Sequence, residues 1–379
     1  MPVVACGMAN LLLPGDQAPW FHAPALSGNP RYAFDTAAGR SILMLFAGSA
    51  SRPAVAPALR LVSENRKLFD DRHACFFGIS TDRADAANGV IQQQLPGIRW
   101  FLDHDGAVSR LYGALAEEAG KAEYRPHWLL LDTTLRVCGR FPINAGTQAI
   151  AALEAQIAMP DVYPAAPVLI VPRVFEPALC QRLITLYEAK GGEDSGFMRE
   201  ENGLTVGRID HSHKRRSDYH IEDDALREQL RARIARFLIP QIKRALGWEA
   251  TRIERWLVAC YDGDNGGGHF RAHRDNTTKG TAHRKFACTI NLNAGEYDGG
   301  DLCFPEYGPR TYRAPTGGAV IFSCSLLHEA QPVTRGKRYA FLPFLYDEDG
   351  AKLREANLRF LAPEAGGRPR TDWPADAPA

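Results

Sequence analysis

Apolar and polar positions follow two different rhythms along the chain, and the change falls near residues 155–170. Before it, short unbroken apolar runs, SILMLFAG (41–48), ACFFGIS (74–80) and HWLLLD (127–132), read as strands buried on both faces. The stretches from Pro53 to Phe69 and from Thr147 to Ile157 read as helices. This alternation predicts an α/β layer structure. After the change, Glu176 to Ala189 reads as a helix opening with Pro177 in its first turn. Leu226, Leu230, Ile234, Leu238, Ile242 and Leu246 then form one apolar stripe, predicting a single long helix over Glu222 to Leu246 that Pro240 kinks. From Arg252 to Asp347 the runs RWLVACY, GHFRAHRD, FACTINLN, DLCFP, AVIFSC and YAFLPFLY are separated by Gly, Asn and Pro clusters. That spacing predicts an all-β barrel or jelly roll.

The two rhythms imply two domains, as a length of 379 residues also suggests. MPDVYPAAPVLIVP carries Pro160, Pro164, Pro167 and Pro172, so a linker is expected over 159–166, between domains at 10–158 and 167–349. The Pro/Gly/Ala-rich stretch 362–379 reads as a disordered tail. Against 44 acidic residues stand 45 basic ones, a balance that gives no support for nucleic-acid or anionic-membrane binding. The first residues lack a basic segment ahead of an apolar run, and no run approaches the ~20 apolar residues of a membrane span. Eight cysteines include no C-x-x-C pair, and most lie in apolar runs. Reduced thiols and a cytoplasmic location are expected.

Candidate chemistry sits in the β-region. In a strand, residues i and i+2 share a face, so His273 and Asp275 can share one cation. Such triplets arise cheaply, as His220-Ile221-Glu222 illustrates, and context must decide. His328 ends an apolar run downstream, and Arg338 follows ten positions later at the start of the next strand. Two histidines and one carboxylate on one face, with positions left open, is the ligand set of non-haem iron(II) oxygenases. An arginine supplies a bidentate fork for a remote carboxylate on a 2-oxo acid. His269 and His283 read as bystanders.

HRD, GGDLCFPEYG and LLHEAQPVTRGKRYAFLPFLYDE together resemble the prolyl-4-hydroxylase-type branch of 2-oxoglutarate/iron(II) dioxygenases, and in particular its bacterial PKHD-type members, from about Pro167 to Asp349. The resemblance implies a double-stranded β-helix with supporting helices. It implies His273, Asp275 and His328 as iron ligands, Arg338 on the distal carboxylate of 2-oxoglutarate, and Tyr261 as a further co-substrate contact. Fe(II), 2-oxoglutarate and O2 follow as cofactor and co-substrates, with ascorbate as an optional accessory. The implied reaction is hydroxylation of a C–H bond with release of succinate and CO2. Its acceptor is a protein, peptide or small molecule, with a protein or peptide side chain favoured.

The N-terminal stretches PGDQAPWF, FFGISTD, FLDHDGAVSRLYGAL and HWLLLDTTLRV resemble thioredoxin-fold redoxins of the peroxiredoxin/AhpC type. A peroxidase needs a thiolate at a helix start after the LMLF strand. Here the chain reads FAGSASRPAVAPALR, with Ser49 and Ser51 and no cysteine, while Cys75 lies inside an apolar strand. A binding or dimerising role is expected instead, and a homodimer is left open. The competing reading is a non-catalytic redoxin-fold interaction or sensor protein with a vestigial oxygenase module. In HSHKRRSDYH, centred on Lys214, a solvated basic turn is favoured over a substrate-facing loop. Gly299 and Gly300 are expected to permit a tight turn.

Overall fold

The computed structural model describes residues 11–118, 121–159 and 163–362. The expected tail lies outside them except for residue 362, as do residues 160–162 of the expected linker. The chain divides into two compact units, residues up to 164 together with 305–308, and the remainder.

The first unit is a five-stranded mixed sheet in the order Ile98–Leu102, Ala74–Ser80, Ser41–Gly48, His127–Leu131, Val137–Pro142. Ser41–Gly48 runs parallel to Ala74–Ser80 and antiparallel to His127–Leu131. All eight residues of Ser41–Gly48 and all seven of Ala74–Ser80 are buried, as unbroken apolar runs require when both faces are covered. The helices Ala56–Glu64 and Gly146–Ile157 pack through Ala58, Val62, Ala149, Ile150 and Leu153. This is the thioredoxin-like layering expected of the N-terminal half.

The second unit carries two large antiparallel sheets, besides the two-stranded pairs Phe197–Glu201 with Leu204–Arg208 and Asp298–Gly299 with Val333–Arg335. The larger runs Leu169–Val171, Ala319–Ser323, Phe286–Asn291, Lys337–Phe341, Leu257–Asp262, Ser217–His220, Glu193–Asp194, with Arg252–Glu254 and Phe344–Tyr346 attached to one side. The smaller runs Lys214–Arg215, His269–His273, His328–Ala330, Leu302–Cys303, Thr311–Tyr312. Together they form the expected double-stranded β-helix. The run YAFLPFLY makes two strands rather than one, because Pro343 has no N–H to continue the ladder.

The long helix differs from expectation. It is an α-helix over Asp224–Arg233, a π turn over Ile234–Leu238 and a second α-helix over Ile239–Leu246. Pro240 cannot donate to the carbonyl four residues back, and the wider π turn accommodates the loss without ending the helix. The extra residue shifts the stripe. Leu238 and its neighbour Ile239 are both buried with Ile242, while Leu246, expected on the buried face, is 43% exposed.

Candidate metal and co-substrate site

Asp275 approaches the two histidines differently from the strand argument. The strand His269–His273 ends on its first candidate ligand, so Asp275 lies in the turn beyond it. Its N–H donates to the Cys324 carbonyl (3.0 Å), and its own carbonyl accepts from Arg284 Nη1 (3.4 Å). These bonds carry the carboxylate back toward the sheet. His328 opens the neighbouring strand and is the cross-strand partner of His273.

The imidazole Nε2 atoms of His273 and His328 lie 3.5 and 3.3 Å from the two Asp275 oxygens, and the three candidate ligand atoms all fall within 4.8 Å of one another. Each Nδ1 meets a backbone carbonyl, Arg271 O at 2.7 Å and Leu326 O at 3.0 Å. A carbonyl only accepts, so Nδ1 is the protonated nitrogen in the neutral ring and Nε2 presents a lone pair. Three lone-pair-bearing atoms thus face one another with no hydrogen between them, an arrangement that calls for a cation. Phe270 stacks on His273 (ring centroids 3.4 Å apart) and Phe322 lies 4.5 Å from His328, holding both rings on apolar supports. Burial pushes the Asp275 carboxyl up, but the positive charge of His328 and His273 when protonated, together with Arg284, outweighs it and holds it well below the usual range, as a bound cation in their place would. Burial and neighbouring His273 pull His328 down to about 4, against the opposing pull of Asp275. The donor set therefore fits a divalent first-row metal such as iron(II).

The larger sheet supplies the facing wall. Tyr261 and Arg338 are themselves cross-strand partners, both buried. The Arg338 guanidinium lies 4.8 Å from the Tyr261 ring centre, and its Nε and Nη1 are buried without a hydrogen-bond partner. Gly300 has φ +70°-class backbone (φ 69°), and a Cβ there would come within 3.2 Å of Arg338 Cδ, so the glycine clears space for the side chain as well as turning the chain. Tyr261, His273, Asp275, His328 and Arg338 line one pocket, partly open to solvent.

Other sequence candidates fall elsewhere. His220 and Glu222 join no metal-competent cluster among the described residues. His269 bonds the Gly267 carbonyl. His283 pairs with Glu254, which also grips Arg284 through both oxygens. Lys214 overturns the solvated-turn expectation. It is 2% exposed, its ammonium donating to Ser195 Oγ (2.7 Å) and Gly196 O (2.5 Å) and lying over Phe270. Burial and the Arg216 charge pull it well below the ordinary lysine range. Sequence reasoning passed over Arg216, Asp218, Glu254 and Arg255. The only signal was charge placed directly beside buried strand residues.

A model of the 2OG-Fe(II) oxygenase superfamily matches residues 256–346, and one of the AhpC/TSA family matches residues 14–137. A PKHD-type hydroxylase of Verminephrobacter eiseniae is 32% identical over 157 residues, 35% of this chain and 68% of that protein. The chain belongs to the PKHD-type hydroxylases. It matches 28% of its length to 51% of a second such hydroxylase, from Cupriavidus metallidurans, at 30% identity, so it spans about half of that relative. A solved prolyl hydroxylase from Trichoplax adhaerens, in complex with a hypoxia inducible factor peptide fragment, is 19% identical. That match covers 50% of this chain and 86% of the other, with a TM-score of 0.41.

In this hydroxylase the redoxin-like unit carries a filled loop where a thiolate would stand. Asp85 is fully buried and its carboxylate accepts from Ala50 N (2.7 Å), Ser80 Oγ (2.7 Å), Ser51 N (3.2 Å) and Ser51 Oγ (2.8 Å). Ser49 Oγ donates to Asp82 (2.8 Å). The backbone amides of Ala50 and Ser51 in this loop are thus occupied by the Asp85 carboxylate. Cys75 is buried and pushed up to about 12 by that burial, far from the thiolate form.

Proposed function

We propose that the C-terminal unit of this PKHD-type hydroxylase oxidises a C–H bond of a protein or peptide side chain, a prolyl residue being the model acceptor. In this reading His273, Asp275 and His328 hold iron(II), Arg338 takes the distal carboxylate of 2-oxoglutarate, and Tyr261 flanks it. One observation carries the proposal: a cation-demanding His–Asp–His cluster and a buried guanidinium with unmet donors share one pocket. Iron(II), when bound, supplies the activation of O2 coupled to decarboxylation of the 2-oxo acid. The chain's own residues do the rest. The backbone carbonyls at Arg271 and Leu326 fix both imidazoles in the metal-facing tautomer. Arg284, anchored on Glu254, steadies the Asp275 backbone. Phe270, Phe322 and Leu302 keep bulk water from the reacting centre. The N-terminal unit is inferred to be a binding module without peroxidase chemistry. The test is succinate formation by the iron-loaded full-length protein, with ascorbate in the buffer, alongside mass-spectrometric detection of one added oxygen atom in candidate peptides. No succinate above that of an Asp275→Ala control would sink the proposal.

A further inference from the structure

Three arginines line the pocket that holds the His–Asp–His cluster: Arg216, Arg255 and Arg338. Their charges are not equally answered. Arg216 is committed to Asp218, with Nε to Oδ1 at 2.7 Å and Nη2 to Oδ2 at 2.6 Å. The neighbouring Arg284 is likewise committed to Glu254, at 3.0 and 2.7 Å. Arg338 and Arg255 differ, for among the described residues neither side chain forms an ion pair. Each instead lies over an aromatic ring, Arg338 on Tyr261 and Arg255 on Phe344, both at 4.8 Å. Arg284 lies over the same Phe344 ring at 4.1 Å, so the Arg255 guanidinium is held beside a like charge.

The backbone at Arg255 adds an independent sign. Its φ is +73°, in the left-handed region that side-chain-bearing residues rarely adopt, directly between the strands Arg252–Glu254 and Leu257–Asp262. Strain of this kind persists where the surrounding structure holds it in place, and it collects at ligand sites. Burial, then Arg284 and Arg216, pull Arg255 down to about 10, which leaves it charged at neutral pH while marking how poorly its charge is answered.

Counting charges then decides what is missing. A 2-oxo dicarboxylate has one end for a metal and one for a guanidinium, so it answers Arg338 and leaves Arg255 over. Arg255 is only half-buried, but a cation held beside a second guanidinium without an ion-pair partner is costly, and a second anion entering the pocket would answer it with a charge-assisted, bidentate contact. We propose that Arg255 is a recognition site for a substrate carboxylate, so that this hydroxylase selects peptides with an anionic group next to the oxidised residue. The proposal rests on the reading of Arg338 as the co-substrate anchor.

The test uses the full-length protein loaded with iron(II) and 2-oxoglutarate without oxygen, mixed with three pools of proline-containing peptides. One pool has Asp or Glu beside proline and an amidated C-terminus. The second has Asn or Gln there and a free C-terminal carboxylate. The third has Asn or Gln and an amidated C-terminus. Peptides retained with the protein on ultrafiltration are counted by mass spectrometry. One carboxylate pool should be retained about tenfold over the uncharged pool, and which one identifies the source of the carboxylate. Arg255→Met, which keeps the aliphatic contact with Phe344, should reduce that preference to within about twofold, and Arg255→Lys should restore part of it. Equal retention of all three pools by the wild type, or an undiminished preference in Arg255→Met, overturns the proposal. Half-saturation by 2-oxoglutarate is measured in parallel. If Arg255→Met abolishes co-substrate binding and Arg338→Met does not, the anchor is Arg255 and both readings fall. A charge preference that depends on Arg255 in a protein that forms no succinate supports the anion site and removes only the oxygenase reading.

Discussion

Asp85, buried in the short helix Arg83–Ala87 of the redoxin-like unit, and Asp275, half-buried in the turn after the strand His269–His273 of the β-helix unit, are both carboxylates close to a strand end, yet they face opposite kinds of neighbour. Around Asp85 every partner is a donor, two backbone N–H groups and two hydroxyls of its own chain. Around Asp275 the nearest partners are two imidazole Nε2 atoms that the opposite ring nitrogens force into the acceptor state. The first carboxylate is finished by the fold. The second is left needing something the chain does not provide. The loop after Ser41–Gly48 is thereby closed on itself, while the His–Asp–His cluster keeps an open demand for a cation. Donor count, rather than the mere presence of polar residues, separates a carboxylate satisfied by its own chain from one that is not.

The most severe way to break the contrast is to remove the demand. His273→Ala or Asp275→Ala should weaken iron(II) binding more than about a hundredfold, read by metal content after anaerobic dialysis. Wild-type iron content in both variants would show that the acceptor cluster is not the metal site. Next in size, Arg338→Ala should leave iron bound while raising the 2-oxoglutarate needed for half-maximal succinate formation by about a hundredfold, since a buried carboxylate loses its partner. Lys337 and Arg335 would be examined if the requirement did not move.

The redoxin side can be tested by restoring what it lacks. Ser51→Cys should yield no peroxide turnover, because the new thiol would face the Asp85 carboxylate, which disfavours a thiolate. Sustained peroxidase activity in that variant would mean that the loop is still catalytically competent. Asp85→Ala should destabilise the first unit by about 3 kcal/mol, as buried amides lose their acceptor, and this is measurable by hydrogen exchange on the strand Ser41–Gly48. The smallest expected effect is a slope with pH. Burial holds His127 near 4, below its ordinary 6.5, so it stays neutral when folded but takes up a proton on unfolding. Stability of the first unit should therefore be complete above pH 6.5 and fall as pH drops toward 4, by on the order of 2 kcal/mol. His127→Phe should flatten that slope in the same exchange measurement.

Much of this was legible in the chain. Unbroken apolar runs located the buried strands 41–48, 74–80 and 127–131 because a strand covered on both faces has no polar positions to spare. His273, Asp275, His328 and Arg338 were legible through residue type and spacing. Their convergence was not, because Asp275 reaches the histidines through a turn held by the Cys324 carbonyl rather than through strand periodicity. Lys214 was misread for a related reason. A run of basic residues ordinarily signals solvent, and only long-range packing against Ser195, Gly196 and Phe270 buries this one. The phase shift that exposes Leu246 likewise depends on how a π turn, rather than a simple kink, absorbs Pro240. The sequence by itself determined which segments are apolar, which side chains can ligate, and that no thiol stands in the loop after the strand Ser41–Gly48. Tertiary structure decided which charges are answered: Arg216 by Asp218 and Arg284 by Glu254, while Arg338 and Arg255, without an ion pair among the described residues, lie over aromatic rings. The physical reason is that hydrogen-bond and ion-pair satisfaction depends on partners distant in sequence, which local periodicity does not encode.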